Sequence, residues 1–433
     1  MSCRLDDLSG FAPTGYVRLI VQGKARVETG PSPLAISLQN NQTALGYAYL
    51  GEMAEYLHDR NVDVTQALIR FRIPSYCLIK APMSTAASVT GALYRLFSNP
   101  AAPDYIELIE ADGVLHIVAP SVKIGTNFSL TSGQSMHSVY LRDLNVAAAA
   151  GHNADGTGTR IAVLDTGIEP GKTVAGYHDL FVTGSVTPPQ VDNNGHGTAM
   201  TEIIKSVANG AEIHVIRVSD SGLIYVWDLM AGITTAVYNV DAHILNMSFG
   251  CQYLDQPCPY CGGGSNRSTV CEKFLDQIAQ IAASGTGPDP ILVSAVGNDG
   301  ATTGFDWPAE YRAVLGVGAV RQDKNRSRFS NIGTQKPMHL YGLCPGGDTN
   351  SADVATEWVG EGNDGGNTTH CVGTSPATAY ASGVMALWRH YRSNNSLAVS
   401  SDALLDAVHN RSRHDVVGYN SSDHGMGRLI YDP

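Results

Sequence analysis

The stretch Gly373-Thr374-Ser375-Pro376-Ala377-Thr378-Ala379-Tyr380-Ala381-Ser382-Gly383 is the one around which this 433-residue chain is organised. A serine that opens a helix sits where loose backbone N–H groups and the helix dipole favour a developing anion, which is a nucleophile's position. Gly373 lets another backbone come close, and Pro376 suits a first helical turn. The small residues that follow let the helix run through a crowded interior into Val384-Met385-Ala386-Leu387-Trp388. Taken alone, Gly-Thr-Ser before an apolar helix is more often a plain N-cap than a catalytic serine. Its partners must come from elsewhere in the chain.

Upstream, Ile161-Ala162-Val163-Leu164-Asp165 is a continuous apolar run ending in a carboxylate. Such a run fits a strand buried on both faces of a parallel sheet, with Asp165 at the carboxyl end where open α/β sheets place their ligands. Asp192-Asn193-Asn194-Gly195-His196-Gly197-Thr198-Ala199-Met200 then leads into a helical run, Thr201 to Val207. A histidine between two glycines has little side-chain cover, so a substrate can approach His196. Singly, each signal has a plain structural reading: a strand-end Asp is often a helix cap, and a lone His is usually structural.

Asp165, His196 and Ser375 follow one another in the order Asp, His, Ser, which is that of subtilisin. From about residue 138 to 433 the sequence resembles the subtilase family of serine peptidases. Four further segments carry the likeness. Ala208 to Val218 looks like the strand after the histidine helix, and Asn246-Met247-Ser248-Phe249-Gly250 like the strand that holds substrate backbone. Ile291 to Gly300 looks like the strand bearing the oxyanion-hole Asn, here Asn298. Trp307-Pro308-Ala309-Glu310-Tyr311 resembles the segment where the family has a cis proline.

The resemblance implies a subtilisin-like α/β fold with a doubly wound, mostly parallel sheet, and a serine endopeptidase acting on polypeptides. Ser375 would be the nucleophile, His196 its base, Asp165 the partner of the imidazole, and Asn298 a donor to the oxyanion. The positions matching the family's first substrate pocket include Ser248, Phe249, Gly250, Ala295, Gly297, Asp299 and Asp306. Two carboxylates near a pocket floor favour Arg or Lys before the cut bond; the alternative is that one or both face solvent. The chain departs from the family at Pro376, where Met is usual, at Ala379, where Pro is usual, and at Tyr380, where His is frequent. Two rivals stay open: a catalytically silent binding module, and a peptidase that passes its acyl group to an amine and so cyclises peptides.

Within a first unit of residues 1–120, the stretch from about 14 to 120 alternates strand and helix periods. Tyr16 to Val21, Ala67 to Lys80 and Tyr105 to Glu110 read as strand regions, the second interrupted at Pro74, and Leu45 to Asn61 and Thr85 to Phe97 as helices. The order βαββαβ is that of a small α+β, ferredoxin-like unit. It is similar to the intramolecular chaperone and inhibitor that precedes many subtilase domains, which would place this unit's end in the cleft; a fixed accessory domain is the alternative. A polar, Gly/Ser/Thr-rich linker, 121–137, separates it from the peptidase domain, 138–433.

That domain carries a Cys-rich insert at 251–271. Cys258-Pro259-Tyr260-Cys261-Gly262-Gly263 resembles a zinc knuckle, and Cys251, Cys258, Cys261 and Cys271 make a four-thiolate set. Structural zinc, disulfides and free thiols all remain open for it. Cys344 and Cys371 fall in loops that the family places near the nucleophile, where they can meet. The region after the histidine helix lacks an acidic or Asn-rich loop, so no calcium is expected there. A net charge of -12, from 28 basic and 40 acidic residues, argues against a nucleic-acid partner. The start lacks a basic region followed by an apolar run, and no segment is apolar enough to span a bilayer, so a cytoplasmic protein without membrane attachment is expected.

Overall fold

The computed structural model describes residues 16–23, 63–70, 73–82, 106–117, 136–181, 188–251, 268–285, 287–333, 337, 340–348, 360–364 and 367–433. Contacts divide the chain into two compact units: residues 1–114 with 225–227 and 254–277, and the remainder.

In the first unit, β1 (Tyr16–Gly23), β2 (Asp63–Arg70), β3 (Ile73–Pro82) and β4 (Ile106–Ala111) form an antiparallel sheet in the order β2-β3-β1-β4. Ile20 of β1 and Tyr76 and Leu78 of β3 are buried, and the Tyr76 ring stands edge-on to Phe274. The two helices expected at 45–61 and 85–97, and most of the linker, lie outside the described residues.

The second unit is built on a seven-stranded sheet. Its strands are β5 (Arg160–Asp165), β6 (Gly176–Asp179), β7 (Glu212–Arg217), β8 (Ile244–Met247), β9 (Ile291–Ala295), β10 (Val314–Val320) and β11 (Tyr341–Pro345), in the order β11-β10-β9-β8-β5-β7-β6. Every pairing is parallel. A parallel sheet covered on both faces needs apolar residues at successive positions, and β8, β9 and β10 are buried throughout. Alternate residues serve alternate faces. Val163, Val215, Val293 and Val317 share one core with the histidine helix, α3 (His196–Val207), and the serine helix, α6 (Thr374–Asn394). On the other face, Leu164 lies against Gly232 of α4 (Val226–Tyr238). Helices thus cover both faces, which is the doubly wound arrangement.

Chain order places the short helices α1 (Met136–Asp143) and α2 (Val146–Gly151) before β5, and α5 (Thr269–Ala283) before β9. A hairpin of β12 (Gly360–Asp364) and β13 (Asn367–Cys371) leads into α6. The first fifteen residues of α6, Thr374 to Trp388, are all buried. It is apolar all round because it crosses the core, and its small residues make that crossing possible. At Gly383 a Cβ would stand 2.6 Å from Val207 Cβ on α3, so the two helices touch backbone to side chain.

The chain leaves β5 towards β7 on one side and returns to β8 on the other. The sheet's topological switch therefore lies at β5, and the carboxyl ends of β5, β8 and β9 open onto one crevice.

Candidate active site

Asp165 ends β5 and is buried. Its Oδ1 accepts hydrogen bonds from Thr166 N at 2.8 Å and from His196 Nδ1 at 2.8 Å. His196 begins α3 and is 9% exposed. With Nδ1 given to the carboxylate, Nε2 is the imidazole's remaining nitrogen, and it has no hydrogen-bond partner among the described residues. Burial pushes the His196 pKa down, but the Asp165 charge and hydrogen bond, with the Asp192 charge, outweigh it, so the pKa lies above the ordinary histidine value.

Asp192 organises the start of α3. Its Oδ1 accepts from Gly195 N at 2.8 Å and its Oδ2 from Thr198 N at 2.8 Å, which satisfies loose N–H groups at the helix start. Thr166 Oγ1 donates to Asp192 Oδ1 at 2.8 Å and accepts from Gly197 N at 2.9 Å. Asp192 and Thr166 thus lock His196 to the end of β5.

Ser375 lies buried in the first turn of α6. Its Oγ donates to the Ser248 carbonyl at 2.9 Å, so the hydroxyl is turned towards the end of β8 and not hydrogen-bonded to His196 Nε2. Ser248 Oγ stands 3.0 Å from Asn246 Oδ1 and 3.1 Å from the Ser375 carbonyl, and Asn246 Nδ2 donates to Ser382 Oγ at 3.1 Å. These bonds pin the serine helix to β8. Asn298 Oδ1 accepts from Thr374 N at 2.8 Å and from Thr374 Oγ1 at 3.0 Å. A backbone N–H can only donate, so the amide's oxygen must face Thr374, and the NH₂ is left as its donor end.

The pocket residues fall around the same strand ends. Phe249, Gly250, Ala295 and Gly297 are buried. Asp306 is 2% exposed, and its Oδ1 accepts from Asn331 Nδ2 at 3.1 Å. It fills the space that two glycines leave: a Cβ on Gly250 would stand 2.7 Å from Asp306 Cβ, and one on Gly297 2.5 Å from its carboxyl. Gly297 has a φ of +103°, so it serves both the turn and the fit. Burial, and next the Asp299 charge, hold the Asp306 pKa well above the ordinary carboxylate value, against the pull of Asn331. Asp299 itself is exposed. The Trp307–Pro308 peptide is cis.

Tyr380 is buried, and burial first, then Cys371 and Cys344, push its hydroxyl well above the usual tyrosine pKa. Cys251 and Cys271 are buried, whereas Cys258 and Cys261 lie outside the described residues. Among the described residues no group of three or more His, Cys, Asp or Glu is placed to hold a metal ion, and no helix is long and apolar enough to cross a membrane.

Asp192, Thr166, Thr374 and Asn331 were not singled out from sequence. Asp192 carried a usable signal, an acid just before a helix start. Asn331 carried none, since nothing local marks an Asn 33 positions after Asn298 as its neighbour.

Residues 156–427 match the model of the subtilase family, and the chain belongs to that family. Its relatives include a thermostable alkaline protease of Halalkalibacterium halodurans, 31% identical over 259 residues that cover 56% of this chain and 60% of the relative. Subtilisin Savinase of Lederbergia lenta is 29% identical over 283 residues, covering 60% of this chain and 90% of the relative. M-protease of Shouchella clausii is 27% identical over 303 residues, covering 66% and 67%. The chain thus spans less than two thirds of the first of these proteins.

Proposed function

We propose that the chain is a serine endopeptidase that hydrolyses peptide bonds with Ser375, His196 and Asp165. The observation that carries this is the 2.8 Å bond from His196 Nδ1 to the buried Asp165, which leaves Nε2 as the imidazole's proton acceptor. The mechanism requires the Ser375 hydroxyl, which donates to Ser248 O, to turn about its Cα–Cβ bond towards His196 Nε2. His196 then removes the Oγ proton as Oγ attacks the scissile carbonyl carbon. Asp165 holds the tautomer and stabilises the imidazolium. The oxyanion is met by Asn298 Nδ2 and the Ser375 N–H. Collapse expels the amine, which takes the proton from His196, and water repeats the sequence to free the acid.

The test is turnover of an internally quenched peptide by the full chain and by Ser375→Ala. Loss of turnover in the variant supports the reading; equal turnover in both rejects it, as does none in either once the N-terminal unit has been cleaved away. Product masses lacking the added water would point to acyl transfer in place of hydrolysis.

We infer further that the enzyme prefers Arg or Lys before the cut bond. Support comes from Asp306, buried against Gly250 and Gly297, whereas Asp299 is exposed. Peptides differing in Arg, Leu or Glu at that position decide this, and equal or better turnover of the Leu peptide rejects it.

The N-terminal unit as chaperone and inhibitor, the cytoplasmic setting, and structural zinc on Cys251, Cys258, Cys261 and Cys271 belong to the same proposal. Metal analysis near one zinc per chain supports the last, and no zinc with four titratable thiols rejects it.

A further inference from the structure

We propose that Asn331 is the positioning residue that sets specificity, because its one amide holds the pocket-floor acid Asp306 and the loop carrying Asn298 together. This rests on the reading of Asp306 as the floor of the first substrate pocket.

Asn331 is 1% exposed and follows no motif. Its Nδ2 donates to Asp306 Oδ1 at 3.1 Å, and its Oδ1 accepts from Asp299 N at 3.1 Å and Ala301 N at 2.9 Å. Its own backbone N–H donates to the Gly297 carbonyl at 3.2 Å, and Ile332 N donates to Ala301 O at 2.7 Å. A Cβ added to Gly297 would lie 2.3 Å from Asn331 Nδ2. The loop Gly297–Ala301, which bears Asn298, is therefore wrapped on this side chain, with the acid on its far end.

An unpaired carboxylate out of water tends to take up a proton, and a hydrogen bond to its charged form opposes that. Asn331 supplies that bond. Asp299, on the loop after β9, pushes the other way, and Glu310 is occupied within the same segment as Asp306, accepting from Phe305 N at 3.0 Å. Only an ionised Asp306 attracts a substrate guanidinium or ammonium. Whether the pocket reads a cation or an apolar side chain thus depends on Asn331.

The experiment compares kcat/KM for Arg and Leu peptides across pH in the wild type, Asn331→Asp, Asp306→Asn and Asp299→Asn. Asn331→Asp keeps the acceptors for the loop and replaces the amide donor to Asp306 with a second acid, which raises the Asp306 pKa by like charge or by sharing one proton. It is expected to lower the Arg peptide about tenfold or more, with the Leu peptide within about twofold, as losing a hydrogen bond to a charged group implies. The rise of Arg turnover with pH moves to higher pH in Asn331→Asp and to lower pH in Asp299→Asn. Should Asn331→Asp fail to fold, Asn331→Ser is expected to give the same fall in the Arg to Leu ratio. Equal losses on both peptides, or none, overturn the proposal while a collapsed ratio in Asp306→Asn keeps the pocket reading. An unchanged ratio in Asp306→Asn overturns the pocket reading and this inference with it.

Discussion

His196 stands between two acids with different tasks. Asp165 takes its Nδ1 proton, and Asp192 caps the helix it begins while adding negative charge nearby. As the proposed base, His196 must be neutral to act, so its raised pKa places the expected acid limb of kcat/KM above the ordinary histidine value of about 6.5. Asp192→Asn removes part of what raises it, and the limb is expected to move to lower pH; a limb that stays in place contradicts this role. Asp165→Asn should lower kcat about 10⁴-fold through the wrong tautomer. Asn298→Ala should lower turnover about 10²- to 10³-fold, with KM little changed if the amide acts on the oxyanion. Sequence makes Asp165, His196, Ser375 and Asn298 legible as candidates because each has a glycine within two positions. It could not show that the Ser375 hydroxyl rests on Ser248 O, nor that Asn331 meets Asp306, because both depend on strand ends brought together only by folding.

At the scale of elements, the serine helix is held by contact with α3 and by hydrogen bonds to β8. Gly383→Ala drives a methyl to within 2.6 Å of Val207 Cβ. Overpacking of this kind costs about 1–3 kcal/mol, and thermal unfolding should show it as a lower Tm. Val207→Ala added to Gly383→Ala should recover part of the loss, whereas additive losses would contradict direct contact between the helices. The apolar run at 161–164 announces a buried parallel strand, because such strands are covered on both faces, whereas the strand at 291–295 is read from its likeness to the family. The small residues of α6 likewise announced a helix inside the core. The short edge strand β6 was not foreseen, being only half-buried and without an apolar run.

Across the whole molecule, two acids bend the pH dependence of stability in opposite directions. Asp415 accepts from Arg428 at 2.7 and 2.8 Å, and that bonding, with Lys324, holds its carboxyl far below the usual range. It contributes stability above the ordinary Asp value that is lost as pH falls through its depressed pKa. Asp306 is the reverse: its raised pKa means the folded state keeps a proton that the unfolded state releases, so it costs stability as pH rises above about 3.9. Asp306→Asn should therefore raise Tm at pH 8, with the gain fading towards pH 3; a lower Tm at pH 8 contradicts a buried, poorly compensated acid.

The central claim is that Ser375 is a nucleophile activated by His196 and Asp165, and labelling with a small fluorophosphonate followed by peptide mass mapping tests it most directly. The expected result is one adduct on Ser375 in the full chain at pH 8, formed at a rate that falls as His196 takes up its proton and absent in Ser375→Ala and His196→Ala. A chain left unlabelled at Ser375, or labelled at the same rate without His196, would contradict it.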